Sequence, residues 1–286
     1  MIKENLPLIQ KKALEIFSYF EDFCKEHNLL YFVCGGGCIG AIRHGGFIPW
    51  DDDIDIFMPR PDYEKLSKLW EEFGDHDHFT LCRTNEEVNY HDCGTLLKDN
   101  HTTFINSHSV NKDFHHGYMI DIIPLDGCAP TRLSRLAQMF WGSLFSLYNA
   151  QRVPDNQGKL MKILAPFLLF IVPTNKLKYK LWKYAEKKMS KYSFYDSDYI
   201  TELVTGYRYM GLEYPKEIFE KQLFVPFEYT EIPVPVGYDT YLSMAFGNYM
   251  EMPPESKRYP KHKVVFLDMN TSYKEYRGVW YCKDAK

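Results

Sequence analysis

The chain has 286 residues, 45% hydrophobic and 25% charged, which excludes a disordered or low-complexity polymer and leaves ample material for a buried core. A net charge of −4 and a pI near 6.2 supply no general attraction for nucleic acid, which is not expected as a partner. Seven cysteines at 24, 34, 38, 82, 93, 128 and 282, without a C-x-x-C pair, point to buried reduced thiols rather than a zinc ribbon or disulfide framework.

The opening stretch, MIKENLPLIQKKALEIF, mixes charges into its apolar positions as a signal peptide does not, so a cytoplasmic protein is expected. Ile9, Ala13, Ile16, Phe17, Phe20 and Cys24 recur at three- and four-residue spacing, which predicts a helix from Leu8 to Cys24. Tyr31 to Cys34 reads as a buried strand leading into Gly35, Gly36 and Gly37, and Cys38 to Arg43 as a short helix. Gly45, Gly46 and Pro49 break that helix. Asp53 to Met58 then alternates acidic and apolar residues with the period of a strand. Pro61 suits a helix start, and Tyr63, Leu66, Leu69, Trp70 and Phe73 supply its apolar face up to Gly74. Strands are predicted at Phe79 to Arg83, Gly94 to Lys98, Thr102 to Asn106 and Tyr118 to Ile123, the last stopped by Pro124.

From Leu133 to about Tyr192 the pattern is mainly helical, interrupted by Pro154, Pro166 and Pro173. Within it, Ile163 to Thr174 is nearly uncharged but too short for the ~30 Å of a bilayer, which takes about 20 apolar residues. It reads first as a buried helix and second as a peripheral membrane contact. The tail from Leu223, with prolines at 226, 233, 235, 253, 254 and 260, is expected to wrap the core without long regular elements. The predicted class is α/β in the α+β sense: a mixed sheet with helical cover over residues 1–130, a helical insertion at 131–200 and a wrapping segment at 201–286, all in one compact unit.

The acidic run Asp51, Asp52, Asp53, Ile54, Asp55 is flanked by apolar residues. On a strand, Asp53 and Asp55 share one face with Cα atoms roughly 6.6 Å apart, while Ile54 and Ile56 take the buried face. Like charges this close repel, and desolvating them costs several kcal/mol, so the pair calls for a strong positive partner. Oxygen ligands favour Mg²⁺ or Mn²⁺ over zinc, and Mg²⁺ commonly keeps positions for substrate phosphates. For Asp51 and Asp52 a solvated turn is an equal alternative. Asp121, in Gly-Tyr-Met-Ile-Asp-Ile-Ile-Pro, is a carboxylate between isoleucines on an interior strand. If that strand neighbours the Asp53 strand, Asp121 completes the coordination or accepts a proton from an attacking hydroxyl. Gly35, Gly36 and Gly37, between a strand and a helix, offer backbone N–H groups to a phosphate.

The stretch GGGCIGAIRHGGFIPWDDDIDIFMPRPDYEKL resembles the signature of the LicD family, which includes fukutin-type transferases and belongs to the nucleotidyltransferase superfamily. The resemblance continues in GYMIDIIPLDG, LFVPFEYTEIPVPVGYDTYL and FGNYMEMPP, and so touches most of the chain apart from the helical middle. It implies a nucleotidyltransferase-like core that transfers a phospho-alcohol, typically phosphocholine from CDP-choline, to a glycan or glycolipid hydroxyl, with CMP leaving. It further implies that Asp53 and Asp55 are the metal pair, that Asp51 belongs to the same signature, and that Asp121 is the third carboxylate. A location at the inner face of the membrane accords with this. True nucleotidyl transfer, and a homologue that binds donor or glycan without turnover, are the alternatives.

Arg43 and His44 lie between the glycines and the acids, where Arg43 suits bidentate contact with a diphosphate and His44 suits a turn equally well. Lys98 is placed either at a donor phosphate or in a surface ion pair. Trp50, Tyr63 and Tyr118 are the aromatics near the site motifs that could face a quaternary ammonium. Arg258 and His262, in the tail, either close over the donor or contact solvent, and solvent is the expectation.

Overall fold

A computed structural model describes residues 2–92, 94–151 and 165–283. The opening helix, α1 (Ile2–Glu26), extends beyond the predicted span at both ends and buries Ile9, Ala13, Ile16, Phe17, Phe20 and Cys24 as the spacing requires. Strand β1 (Phe32–Cys34) runs directly into α2 (Gly35–His44), so the three glycines form the first turn of that helix rather than preceding it. Gly45 ends α2 in the left-handed region at φ 66°, donating its N–H to Ala41 O, a conformation that favours glycine. Next come β2 (Asp55–Pro59), α3 (Arg60–Phe73), β3 (Phe79–Cys82), β4 (Thr95–Asp99), β5 (Thr103–Asn106) and β6 (Met119–Gly127).

Among the described residues the main sheet has seven strands. Its path is β1-β2-β6-β4-β3, with β7 (Tyr199–Glu202) also on β6 and β8 (Tyr214–Pro215) on β7. β2 and β6 are parallel, and the other pairs are antiparallel. This is the expected mixed sheet.

Pro124 does not stop β6, contrary to the sequence expectation. Asp121 donates its N–H to Ile54 O on the β2 side, so by alternation the missing N–H of Pro124 faces the other side. There the pairing with β4 stops at Ile122, opposite Thr95, and the pairing with β7 starts only at Leu125, opposite Glu202. No ladder bond is lost.

Helices α1 and α3 cover one face of the sheet: Tyr19 stacks on Phe79 with ring centroids 4.6 Å apart, and Tyr63 and Thr95 share a hydroxyl hydrogen bond of 2.6 Å. The tail is more regular than its prolines suggested. It forms a hairpin of β9 (Gln222–Phe227) and β10 (Thr230–Pro235), a helix after it (Tyr238–Phe246), and β11 (Val264–Asp268) paired with β5. Each piece is short, and Tyr241 of the helix meets Phe57 edge-on at 5.5 Å on the other side of the sheet.

The helical stretch consists of α4 (Arg132–Ala150), opened by a Thr131–Ser134 capping box, and α5 (Asn175–Met189), capped by Thr174. Residues 165–170 are helical between them, and Pro173 marks the break before α5. Pro154 lies outside the described residues, as do residues 163 and 164. The rest of the Ile163 to Thr174 stretch corrects the expectation of burial, since Phe167, Phe170 and Ile171 are exposed. No helix among the described residues is long and apolar enough to cross a membrane.

Candidate active site

The register of four adjacent strands assembles the carboxylates. Cys34 of β1 lies opposite Asp55, Asp55 opposite Asp121, and Asp121 opposite Leu96. Asp55 and Asp121 therefore stand side by side on one face, the face not covered by α1 and α3. β2 begins at Asp55 rather than Asp53, yet the alternation starts earlier: Asp51, Asp53 and Asp55 are half-buried while Asp52, Ile54 and Ile56 are buried. The segment before β2 thus aligns Asp51 and Asp53 with Asp55 without being strand. It is held by the Asp51 N–H on Ile48 O at 2.8 Å and by Gln10 Nε2 on Asp51 O at 2.9 Å.

The glycines give the acids room. A Cβ on Gly35, whose φ is 55°, would sit 3.1 Å from Asp55 Oδ2, and one on Gly36 would overlap the Asp51 carboxylate. The start of α2 therefore abuts the carboxylates and is accessible only because these side chains are absent. Not all three residues offer an N–H to a ligand: Gly35 N–H donates to Tyr241 Oη at 3.0 Å, and Gly37 is needed because a Cβ would collide with Val33.

Asp52, for which a solvated turn is an equal expectation, and His262, expected at the solvent, both belong to the cluster. Asp52 is fully buried, its Oδ2 is 3.2 Å from His262 Nδ1, and its Oδ1 has no hydrogen-bond partner. His262 also stands 3.8 Å from Asp53 Oδ2, and the potential ligand atoms of Asp52, Asp53 and His262 lie within 4.8 Å of one another. Tyr118, also buried, donates its hydroxyl to Asp52 O at 2.6 Å, and the His262 ring meets Phe104 edge-on. The expectation of a solvent-facing His262 is corrected. It comes from the tail, 210 positions from Asp52, and no local pattern in the sequence announces such a contact.

Electrostatics follow from crowding. Burial, then the charges of Asp53 and Asp52, pushes Asp51 up to about 8; burial, then Asp92 and Asp53, pushes Asp121 up to about 7. Asp55 is raised well above the usual carboxylate range by burial, Asp53 and Asp121, and Asp53 is raised by burial. Burial alone would lower His262, but its hydrogen bond to Asp52 and the charges of Asp53, Asp52 and Asp121 push it up to about 9, so it is cationic at neutral pH. The imidazolium acts on Asp51, Asp52, Asp53 and Asp121, with Lys261 adding charge at Asp51 and Lys98 at Asp121. The cluster stays under-compensated, with an orphaned oxygen on Asp52. An oxygen-rich, partly open donor set with surplus negative charge fits a hard divalent cation.

The remaining candidates separate. Arg43 donates to Tyr249 O at 2.6 Å and to Glu251 O at 3.2 Å, and its Nε to His44 Nε2 at 3.0 Å, so in this structure it ties α2 to the tail. His44 is exposed. Lys98 forms no surface ion pair. It is buried, donates to His115 O at 2.9 Å, and its charge acts on Asp121. Tyr63 belongs to the opposite face of the sheet, beneath Arg60 and Arg83, and is not part of the site. Trp50 is half-buried under the Arg258 guanidinium, which is 5.7 Å from its ring and also donates to Pro253 O.

Residues 28–126, which span the glycine turn and all five aspartates, match the family described as LicD/FKTN/FKRP, nucleotidyltransferase domain. The chain is similar to the lipopolysaccharide cholinephosphotransferase LicD of Haemophilus influenzae, at 28% identity over 279 residues, covering 92% of this chain and 97% of the relative. Shorter likenesses extend to an uncharacterized protein of Rickettsia prowazekii, 35% identical over 66 residues (22% of this chain, 25% of the other), and to one of Rickettsia typhi, 33% identical over 67 residues (22% of each). The family domain thus carries all five aspartates, and the similarity to the LicD relative runs through nearly the full length of both chains.

Proposed function

We propose that the protein transfers phosphocholine from CDP-choline to a hydroxyl of a cell-surface glycan or glycolipid, releasing CMP. Asp53, Asp55 and Asp121 would hold a Mg²⁺ or Mn²⁺ ion, with Asp51 beside them. The observation that carries this is the register that sets Asp55 against Asp121, one residue pair from the glycine turn, in a chain similar along its length to a cholinephosphotransferase. When bound, such a cation neutralises charge on the transferred and departing phosphates.

The chain's own residues supply the rest. Gly36, in the first turn of α2, has no side chain to keep its backbone from the Asp51 carboxylate, which would let the helix start approach a donor phosphate at the acids. Asp52, buried and bonded to His262, fixes the tail over the acidic segment and keeps Asp53 beside an imidazolium. Arg43 and Lys98 bear on the donor indirectly, the first by anchoring the segment after Tyr249 and the second through its charge on Asp121. Free, buried cysteines suit a reducing compartment, and we place the reaction in the cytoplasm, at the inner face of the membrane.

Product analysis tests the proposal. CDP-choline, CDP-ethanolamine, CDP-ribitol and CDP-glycerol are offered in turn with Mg²⁺ or Mn²⁺ and a glycan acceptor. CMP from CDP-choline, with phosphocholine on the acceptor, is expected. Pyrophosphate from a nucleoside triphosphate, without CMP from any CDP-alcohol, would mean nucleotidyl transfer instead.

A further inference from the structure

Helix α4 turns an apolar stripe outward. Leu133, Leu136 and Phe140 recur at three- and four-residue spacing, and Leu133 is 81% exposed. The stripe continues onto α5: Phe140 meets Trp141 at 5.4 Å, Trp141 meets Tyr184 at 5.4 Å, and Tyr184 is exposed along with Leu177 and Leu181 on the same helix face. Phe167, Phe170 and Ile171 are exposed as well, in the segment whose Leu168 carbonyl is bonded by Tyr148 of α4. A run of exposed apolar side chains on two packed helices marks an interaction surface.

The charge beside it identifies the partner. Although the chain is acidic overall, α5 carries lysines at 176, 178, 180, 183, 187 and 188 against a single acid, Glu186, which is buried. Among the described residues only Lys176 and Lys183 of these are paired with carboxylates. Lysines flanking an exposed apolar stripe complement an anionic lipid surface, where the apolar side chains enter the headgroup boundary and the ammonium groups meet phosphates. A second copy of the chain fits poorly, since a two-fold interface would bring the two lysine rows together.

We infer that the α4–α5 face docks this protein on an anionic lipid bilayer. Docking would bear on the acidic site through a rigid connection. Glu186 of α5 is bonded by Arg60 and Arg83, and Arg60 pairs bidentately with Asp126 at the end of β6, the strand that carries Asp121. Gln138 of α4 donates to Gly127 O and Met189 O, tying both helices to the same strand end. This goes beyond the transfer reaction and is tested without any donor, so either can fail alone.

The test is flotation of the full chain with phosphatidylcholine vesicles, with and without about 30% phosphatidylglycerol, at low and high salt. Binding is expected only with phosphatidylglycerol, weakening as salt rises. The double variant Lys180→Glu, Lys187→Glu should bind at least about tenfold more weakly, each lysine near such a surface being worth a severalfold change. The variant Leu133→Ser, Phe140→Ser should also lose binding, both with unaltered melting temperature because all four residues are exposed. Failure of the wild-type chain to float, flotation unchanged in both variants, or a concentration-dependent dimer abolished by the serine pair in place of flotation would each overturn the inference.

Discussion

At Asp55 and Asp121 the folded chain holds two carboxylates opposite each other in the register of neighbouring strands, both raised by burial, Asp55 further by Asp53 and Asp121, and Asp121 further by Asp92 and Asp53. Asp55→Asn or Asp121→Asn removes one repelling charge while keeping the shape, so the metal-free variants should melt no lower than wild type. Turnover should fall by at least about a thousandfold, the scale on which lost charge stabilisation registers. Melting curves together with CMP release check this. Gly36→Ala should act on the same acids from the other side, its methyl displacing the Asp51 carboxylate. A large rise in the cation concentration needed for half-maximal thermal stabilisation, with the metal-free fold little changed, is the expected result. His262→Ala leaves the buried Asp52 carboxylate without its partner and should lower stability by about 1–3 kcal/mol in denaturant titrations.

Among the elements, the strand expected from alternation at Asp53 to Met58 is found as β2 at Asp55–Pro59, because a half-buried strand writes its two faces into the sequence. The burial pattern from Asp51 to Ile56 is the clearest case. The early stop at Pro124 failed for a reason of topology, since a proline is tolerated where the neighbouring strands leave a gap, and one sequence does not display its neighbours. His262 was illegible for the same reason, its role depending on a tail that returns across the whole chain. The buried ion network between α3, α5 and β6 was likewise hidden. Burial alone would raise Glu186, but Arg83, Arg60 and Lys183 hold it down at about 2. A carboxylate depressed in this way contributes stability that is complete above its unfolded value of 4.5 and is lost as pH falls toward about 2. Glu186→Gln removes a carboxylate shared by Arg60 and Arg83, which keep Asp126 and Glu64 as partners, and should cost about 1–3 kcal/mol at neutral pH, with a much smaller difference from wild type at about pH 2. Denaturant titrations at both pH values measure it.

Over the whole molecule, one cluster of buried apolar side chains runs from Ile9 to Met269, so the acids, the helical pair and the tail rest on a common core. The acidic site loads that core with charge. Asp51 and Asp121, raised to about 8 and about 7, keep their protons in the folded state at pH values where the unfolded chain has lost them. Their contribution to stability is present in full below about pH 4 and is lost as pH rises through about 8, the opposite sign to that of Glu186. A bound cation requires the deprotonated forms, so its binding should release protons and its stabilising effect should grow from about pH 6 to about pH 8.5. Thermal shifts with and without Mn²⁺ across that range would show it.

Calorimetric titration of Mn²⁺ into the wild-type chain, Asp55→Asn and Asp121→Asn bears most directly on the joining of carboxylates from two strands around one ion. One strong site is expected in the wild type, with affinity at least about a hundredfold lower in each variant, since each removes a carboxylate ligand. Undiminished binding in Asp121→Asn would contradict the account.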